Sequence, residues 1–402
     1  MSEKPRNDDN AEQSAKPLNA TAKTVVIIVL VAAIGWLMLK SYLFKPEMYD
    51  TSGNTMGTKY YVKVCADSSW GWERTQAAID TELARINQMM STFIDDSEIV
   101  KFNDNPSTDW IPASPEMVKL VKLSKEASEI VDGKFDITVG PLVDLWGFGK
   151  RRRTLAIPPP LADIVKIQEY CGLDKLEYRE SPPALKKSVP ELRIDLSGVA
   201  KGYGVDCVAA VLEKRGYTNY MIEIGGETRT RGHKVVLQDN QGFFSMFAAE
   251  KQEAPWLIGI EKPIHREILD EALGLDKDRV ALAVNLNGRA MATSGDAENT
   301  RVIAGRRYMH IIDPRSGYAM SPEEFGTGVE GEEIGSVSVI ADTCAEADAL
   351  ATGFYLLGIQ RGIETANEFN IAVVYLIRTG DSNNPVRTIM SKAFEKNYQP
   401  KH

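Results

Sequence analysis

Ile194-Asp195-Leu196-Ser197-Gly198-Val199-Ala200-Lys201-Gly202-Tyr203-Gly204-Val205-Asp206 is the stretch on which the reading of the chain turns. An apolar strand end carries an aspartate, a small-residue turn follows, and an apolar run then continues to Arg215 before Gly216. The pattern predicts strand, glycine turn, helix. Such a turn offers backbone N–H groups and a helix N-terminus, and both suit a phosphate. Lys201 adds a positive charge, and Asp195 is placed to orient a hydroxyl or to help hold a metal. The three-glycine order G-x-G-x-x-G of dinucleotide-binding folds is absent. A glycine turn before a helix is by itself more often structural than ligand-binding, so the weight falls on the segments that join it.

Composition bounds the classes. The chain has 402 residues, 43% apolar and 26% charged, enough for one large domain or two medium ones. A net charge of −9 argues against a nucleic-acid surface. Cys65, Cys171, Cys207 and Cys344 lie far apart and read as buried small residues, not as a zinc site or a disulfide framework.

The N-terminus carries a topological signal. Residues 1–23 are polar and read as disordered. Thr24 to Leu39 holds no charge, and with Ser41 to Phe44 the run reaches about 21 residues, the length of a membrane span. Residues 24–44 are therefore expected to form an uncleaved transmembrane anchor, with no A-x-A cleavage site following. Lys16 and Lys23 before it nearly balance Lys40 and Lys45 after it, so charge alone does not set orientation.

Beyond the anchor, alternation from Lys59 to Val64 predicts a strand entered through Met56-Gly57-Thr58, and Ile79, Leu83, Ile86 and Met90 mark one face of a helix. Ser114-Pro115 opens another helix. Residues 133–149, dense in glycine and aromatics, suggest a loop that admits a flat ligand, although a turn packed on the core is the commoner outcome. Gly225-Gly226-Glu227 ends a strand, and Ala292 to Asp296 reads as a turn. Residues 229–255 read as a variable insertion with Phe243, Phe244 and Phe247 partly exposed on a loop or hairpin. His310 falls inside an alternating strand, where a lone histidine is usually a satisfied core or edge residue. Thr343 and Glu346 fit a capping box, and Asp348 and Thr352 then share a face one turn in, where their oxygens suit a hard cation or simply bond each other.

Taken in order, MGT (56–58), MSTF (90–93), FDITVGPLVDLWGFG (135–149), IDLSGVAKGYGVD (194–206), IEIGGE (222–227), TSGD (293–296), RYMHIIDPRSG (307–317) and EADALATG (346–353) resemble the FAD:protein FMN transferases, the ApbE family. The resemblance covers roughly residues 50–378. It implies an α+β fold, a single compact mixed-sheet domain over 50–390, here preceded by one N-terminal transmembrane helix. It implies a Mg²⁺-dependent enzyme that transfers the FMN half of FAD to a threonine, or sometimes serine, hydroxyl of a target flavoprotein and releases AMP. The implied partners are target subunits of membrane redox pumps. The implied location is the inner membrane, single-pass, with the catalytic domain facing the periplasm.

By the same resemblance, Met56 and Phe93 match positions flanking the flavin or adenine, with Phe93 standing where the family usually has tyrosine. Lys134, Phe135, Asp136, Asp195, Lys201 and Ile312 match FAD contacts. Gly198, Asp348, Ala351 and Thr352 match the Mg²⁺ ligands, glycine and alanine through their carbonyls, and His310 matches the catalytic histidine. Two other readings stay open: a Mg²⁺-dependent FAD pyrophosphatase giving FMN and AMP, and an FAD-binding envelope protein without chemistry.

Overall fold

A computed structural model gives the protein's structure and describes residues 20–43, 46–150, 154–237, 251–263, 279–295, 300–322, 331–381 and 384–398. The chain divides into Met1–Glu47 and Met48–His402. The first unit contains helix α1 (Ala20–Leu43), whose described apolar side chains from Val25 to Trp36 are exposed. Among the described residues no helix is long and apolar enough to cross a membrane. The expected transmembrane span over 24–44 is not found among the described residues. Of the stretch expected to be disordered, residues 20–23 belong to the helix and residues 1–19 lie outside the described residues.

The second unit is built on one eight-stranded sheet: β1 (Glu47–Thr55), β2 (Thr58–Ala66), β3 (Tyr220–Ile224), β4 (Glu227–Arg231), β5 (Ala290–Gly295), β6 (Glu333–Ala341), β7 (Ala372–Arg378) and β8 (Val386–Met390). Their order in the sheet is their order in the chain. Every described pairing from β2 to β8 is antiparallel, so what is mixed is helix with sheet and not strand direction. β2 alternates exposed Lys59, Tyr61 and Lys63 with buried Tyr60, Val62 and Val64, so one face is open there. β6 and β7 are buried along nearly their whole length, and their β-branched runs meet cover on both faces.

Helices α2 (Trp72–Met90), α3 (Glu98–Asp104) and α4 (Pro115–Ile130) come next in the chain, then the short α5 (Gly140–Leu145) and α6 (Leu161–Gln168). Ser97 and Ser114 cap α3 and α4, with Pro115 at the first position of α4 as its sequence predicts. α7 (Ser197–Lys214) and α8 (Cys344–Leu357) pack against each other and the sheet, and α9 (Ile359–Glu368) follows. On the opposite face, α10 (Lys392–Tyr398) and the hairpin of Ile258–Glu261 with Val280–Val284 share a cluster with Met291, Ile340 and Leu376. All four cysteines are free, three of them buried.

Candidate active site

The segment entering α7 is not a strand. Asn103, in the last turn of α3, takes both backbone groups of Ile194: Nδ2 donates to its carbonyl at 2.9 Å and Oδ1 accepts its N–H at 2.8 Å. The Asp195 N–H donates to the Ile137 carbonyl at 2.7 Å. These bonds take the place of a ladder and satisfy an extended connection. The turn and helix form as expected, with Asp195 Oδ1 accepting the Ser197 N–H at 2.8 Å.

α7 and α8 touch backbone to backbone. A Cβ on Gly202 would stand 2.2 Å from the Cys344 carbonyl oxygen, so only glycine permits this approach. Asp206, one turn further along α7, accepts the N–H groups of Cys344 and Ala345 at 3.0 Å each and pairs with Arg229 at 2.8 Å. It thereby caps α8 from another helix, satisfying orphan donors that Thr343 leaves over.

Asp348 follows one turn into α8, buried, with Oδ2 accepting the Gly202 N–H at 3.0 Å. Lys201 Nζ lies 2.5 Å from Glu227 Oε1 and 3.7 Å from Asp348 Oδ1. Burial pulls the Lys201 ammonium down, but Asp348 and Glu227 override it and the net shift is upward. Burial pushes Glu227 above the ordinary carboxylate range, against the pull of Lys201. Thr352, one turn beyond Asp348, has its hydroxyl 3.2 Å from that of Ser294 on β5. A Cβ on Gly198 would meet Phe135 at 3.0 Å and the Thr352 hydroxyl at 3.6 Å, so the start of α7 closes directly over these oxygens.

These groups open on a cleft of about 910 Å³. Lys134, Phe135, Asp136 and Ile312 line one side, and Gly198, Lys201, Ser294, Asp348 and Thr352 its base. Lys134 Nζ is bonded to the buried Asp313 at 3.0 Å. Asp136 is turned inward: its Oδ1 accepts the N–H and hydroxyl of Thr138 at 2.7 and 2.6 Å, while burial raises its pKa. Trp146 is core, fully buried, with Nε1 donating to the Gly317 carbonyl at 2.9 Å, so the packed reading holds for that part of the aromatic loop. His310 is exposed and lines the cleft immediately after the strand Arg306–Met309, not inside it. A lysine beside one buried carboxylate and two hydroxyls is suited to a phosphate ester and a hard cation.

The ApbE family model matches residues 56–375 of the chain. The chain belongs to the ApbE family. The FAD:protein FMN transferase of Haemophilus influenzae is 34% identical over 372 residues, 91% of this chain and 96% of that protein. That of Vibrio cholerae is 34% identical over 353 residues, 88% of this chain and 94% of that one. Among solved structures, the flavin transferase ApbE of Vibrio cholerae superposes with a TM-score of 0.69 at 33% identity, covering 88% of this chain and 100% of that one. The apo flavinyl transferase ApbE of Pseudomonas stutzeri superposes with a TM-score of 0.72 at 29% identity, covering 90% and 99%.

Of the residues matched to the ApbE site, Lys134, Phe135, Asp136, Asp195, Gly198, Lys201, His310, Ile312, Asp348 and Thr352 share the one cleft. Met56, Phe93 and Ala351 do not line it. Met56 holds a positive φ of 50° in the β1–β2 turn with its side chain against Gly204, Phe93 is exposed on the helix-ending turn, and Ala351 is buried in α8. Thr293 to Gly295 belongs to β5 and not to a turn, and Asp296 lies outside the described residues. Phe243, Phe244 and Phe247 also lie outside them. Glu227, Asp313 and Asp206 are site residues that sequence reasoning passed over, although each lies inside a quoted ApbE block. An acid directly after paired glycines was the available signal for Glu227.

Proposed function

We propose that this ApbE-family protein is a flavin transferase that cleaves FAD at its pyrophosphate, moves the FMN half onto a threonine or serine hydroxyl of a target flavoprotein, and releases AMP. The observation that carries the reading is one cleft lined by Lys201 and Gly198 from α7, Asp348 and Thr352 from α8, and His310 at its open side.

The donor set fits Mg²⁺. Among the described residues no three His, Cys, Asp or Glu side chains converge. The protein offers instead the Asp348 carboxylate, with the Thr352 hydroxyl next to that of Ser294. One carboxylate, a hydroxyl and a carbonyl, completed by phosphate oxygens and water, is the ligand type Mg²⁺ takes. Asp348 and Thr352, with the carbonyl of Gly198, are the proposed ligands; Ala351, buried in α8, is not among them. When bound, Mg²⁺ neutralises phosphate charge and polarises phosphorus.

The chain's own residues supply the rest. Lys201 sets a cation against the pyrophosphate. Phe135 and Ile312 give apolar surface for the ring system. The acceptor oxygen bonds to the phosphorus of the FMN half, the bridging P–O bond breaks, and its electron pair leaves on AMP. His310 takes the hydroxyl proton; histidine is the side chain matched to that task near neutral pH. The apolar run of α1 is the proposed inner-membrane tether; the periplasm-facing domain and redox-pump subunits as acceptors rest on the family resemblance alone. Membrane fractionation of the full chain against a chain starting at Met48 tests the tether; equal solubility of the two would refute it.

A candidate acceptor incubated with enzyme, FAD and Mg²⁺ should gain the mass of FMN less water while AMP appears in equal amount. AMP release at the same rate without acceptor would instead assign hydrolysis. Intact FAD after long incubation would leave only binding.

A further inference from the structure

Resting on the metal reading above, we propose that Glu227 is a positioning residue that holds Lys201 away from Asp348 and so keeps Asp348 Oδ1 available to the divalent cation. Lys201 Nζ is within hydrogen-bond reach of Glu227 Oε1, at 2.5 Å, and 3.7 Å from Asp348 Oδ1, beyond it. The Asp348 Oδ2 oxygen is already taken by the Gly202 N–H at 3.0 Å. Oδ1 is thus the oxygen of Asp348 turned toward the ammonium and the one a cation would use.

Glu227 is 1% exposed, and its Oε2 has no hydrogen-bond partner among the described residues. A buried carboxylate with an orphan oxygen is a poor stability device. Scaffold needs alone would be met better by an apolar residue at the start of β4. The charge has a use in the site. Without it, the nearest anion for the Lys201 ammonium is Asp348, and a direct Lys201–Asp348 pair would place two positive charges in competition for one oxygen. Glu227 separates them: the lysine serves the phosphates, the aspartate serves the metal.

The test is a mutant cycle on the full-length protein, with Mn²⁺ binding in the presence of FAD read by electron paramagnetic resonance and the Mg²⁺ dependence of AMP release read alongside. Glu227→Gln is expected to weaken Mn²⁺ binding about ten-fold or more, the scale of one close charge contact in a partly buried site. Excess Mg²⁺ should restore much of its turnover. Adding Lys201→Met to Glu227→Gln should return Mn²⁺ affinity to the wild-type level, since the competitor is gone, while turnover stays low. A carboxylate with a purely structural role gives no such rescue. If Glu227→Gln fails to fold, the double variant, which removes both buried charges, carries the test: wild-type Mn²⁺ affinity supports the inference, and affinity lost with the fold intact overturns it. Unchanged Mn²⁺ binding in Glu227→Gln also overturns it. A wild-type protein that turns FAD over without any divalent cation sinks the metal reading itself, a result separable from the other two.

Discussion

Lys187 and Lys201 are both drawn into the protein, and the company each keeps separates scaffold from site. Lys187 is fully buried, and its Nζ donates to the main-chain carbonyls of Phe102, Asn103, Pro190 and Leu192 at 2.9–3.4 Å. Two of those oxygens belong to the last turn of α3, where the Phe102 carbonyl also accepts the Asn105 N–H at 3.3 Å. Lys201 has carboxylates for neighbours and opens on the cleft. Neutral acceptors use a lysine to tie loops together. Charged acceptors beside a cavity keep one ionised and aimed.

That contrast can be attacked at several points. His310→Ala, on the site side, should lower transfer by about 10²–10⁴-fold, read as the rate of FMN incorporation into an acceptor; full activity would remove its role as base. Lys201→Met should lower the same rate by about 10²–10³-fold. Its thermal midpoint should fall, because Glu227 and Asp348 are left buried without their counter-charge. Lys187→Met should lose stability without losing turnover. The carbonyls that converge on the ammonium lose its three protons, so urea unfolding should show a loss of about 2–4 kcal/mol, with kcat within about two-fold of wild type. Lost turnover in a fully folded Lys187→Met protein would erase the distinction.

The smallest effect is in pH. Burial, with Arg193 nearby, holds the Lys187 ammonium below the usual lysine range. The unfolded chain then binds that proton more tightly, so the contribution of Lys187 to stability rises with pH up to about 10.5. The Lys201 value is raised, so its contribution is whole below about 10.5 and is lost as pH climbs further. Unfolding free energies of wild type minus each methionine variant, measured from about pH 9 to 11.5, should therefore slope in opposite senses. Slopes of one sign would mean the two environments do not differ as described.

Much of the fold was legible where the signal is local. The caps at Ser114 and Thr343 and the period of α2 sit within a few residues of the elements they define. The membership of the cleft was legible through the ordered blocks, since ten matched positions converge in it. What escaped depends on distant partners. Ile194 looks like a strand end until Asn103, 91 residues away, claims its backbone. Lys187 looks like an ordinary strand lysine in LKK, and nothing nearby in sequence announces four converging carbonyls. Glu227 was hidden behind its glycines because its role exists only once Lys201 arrives from another element. The apolar run of α1 was legible as composition, while among the described residues no helix is long and apolar enough to cross a membrane.

The backbone contact at Gly202 divides labour across the cleft. With α7 seated on α8 and Asp206 riveting the junction, that jaw has no slack with which to accommodate a bulkier guest. Tolerance is left to the rest of the lining, where Ile258 stands on a two-stranded ribbon and Leu257 just before it. Redesign toward new acceptors therefore belongs on the ribbon, and the chemistry can be carried over untouched.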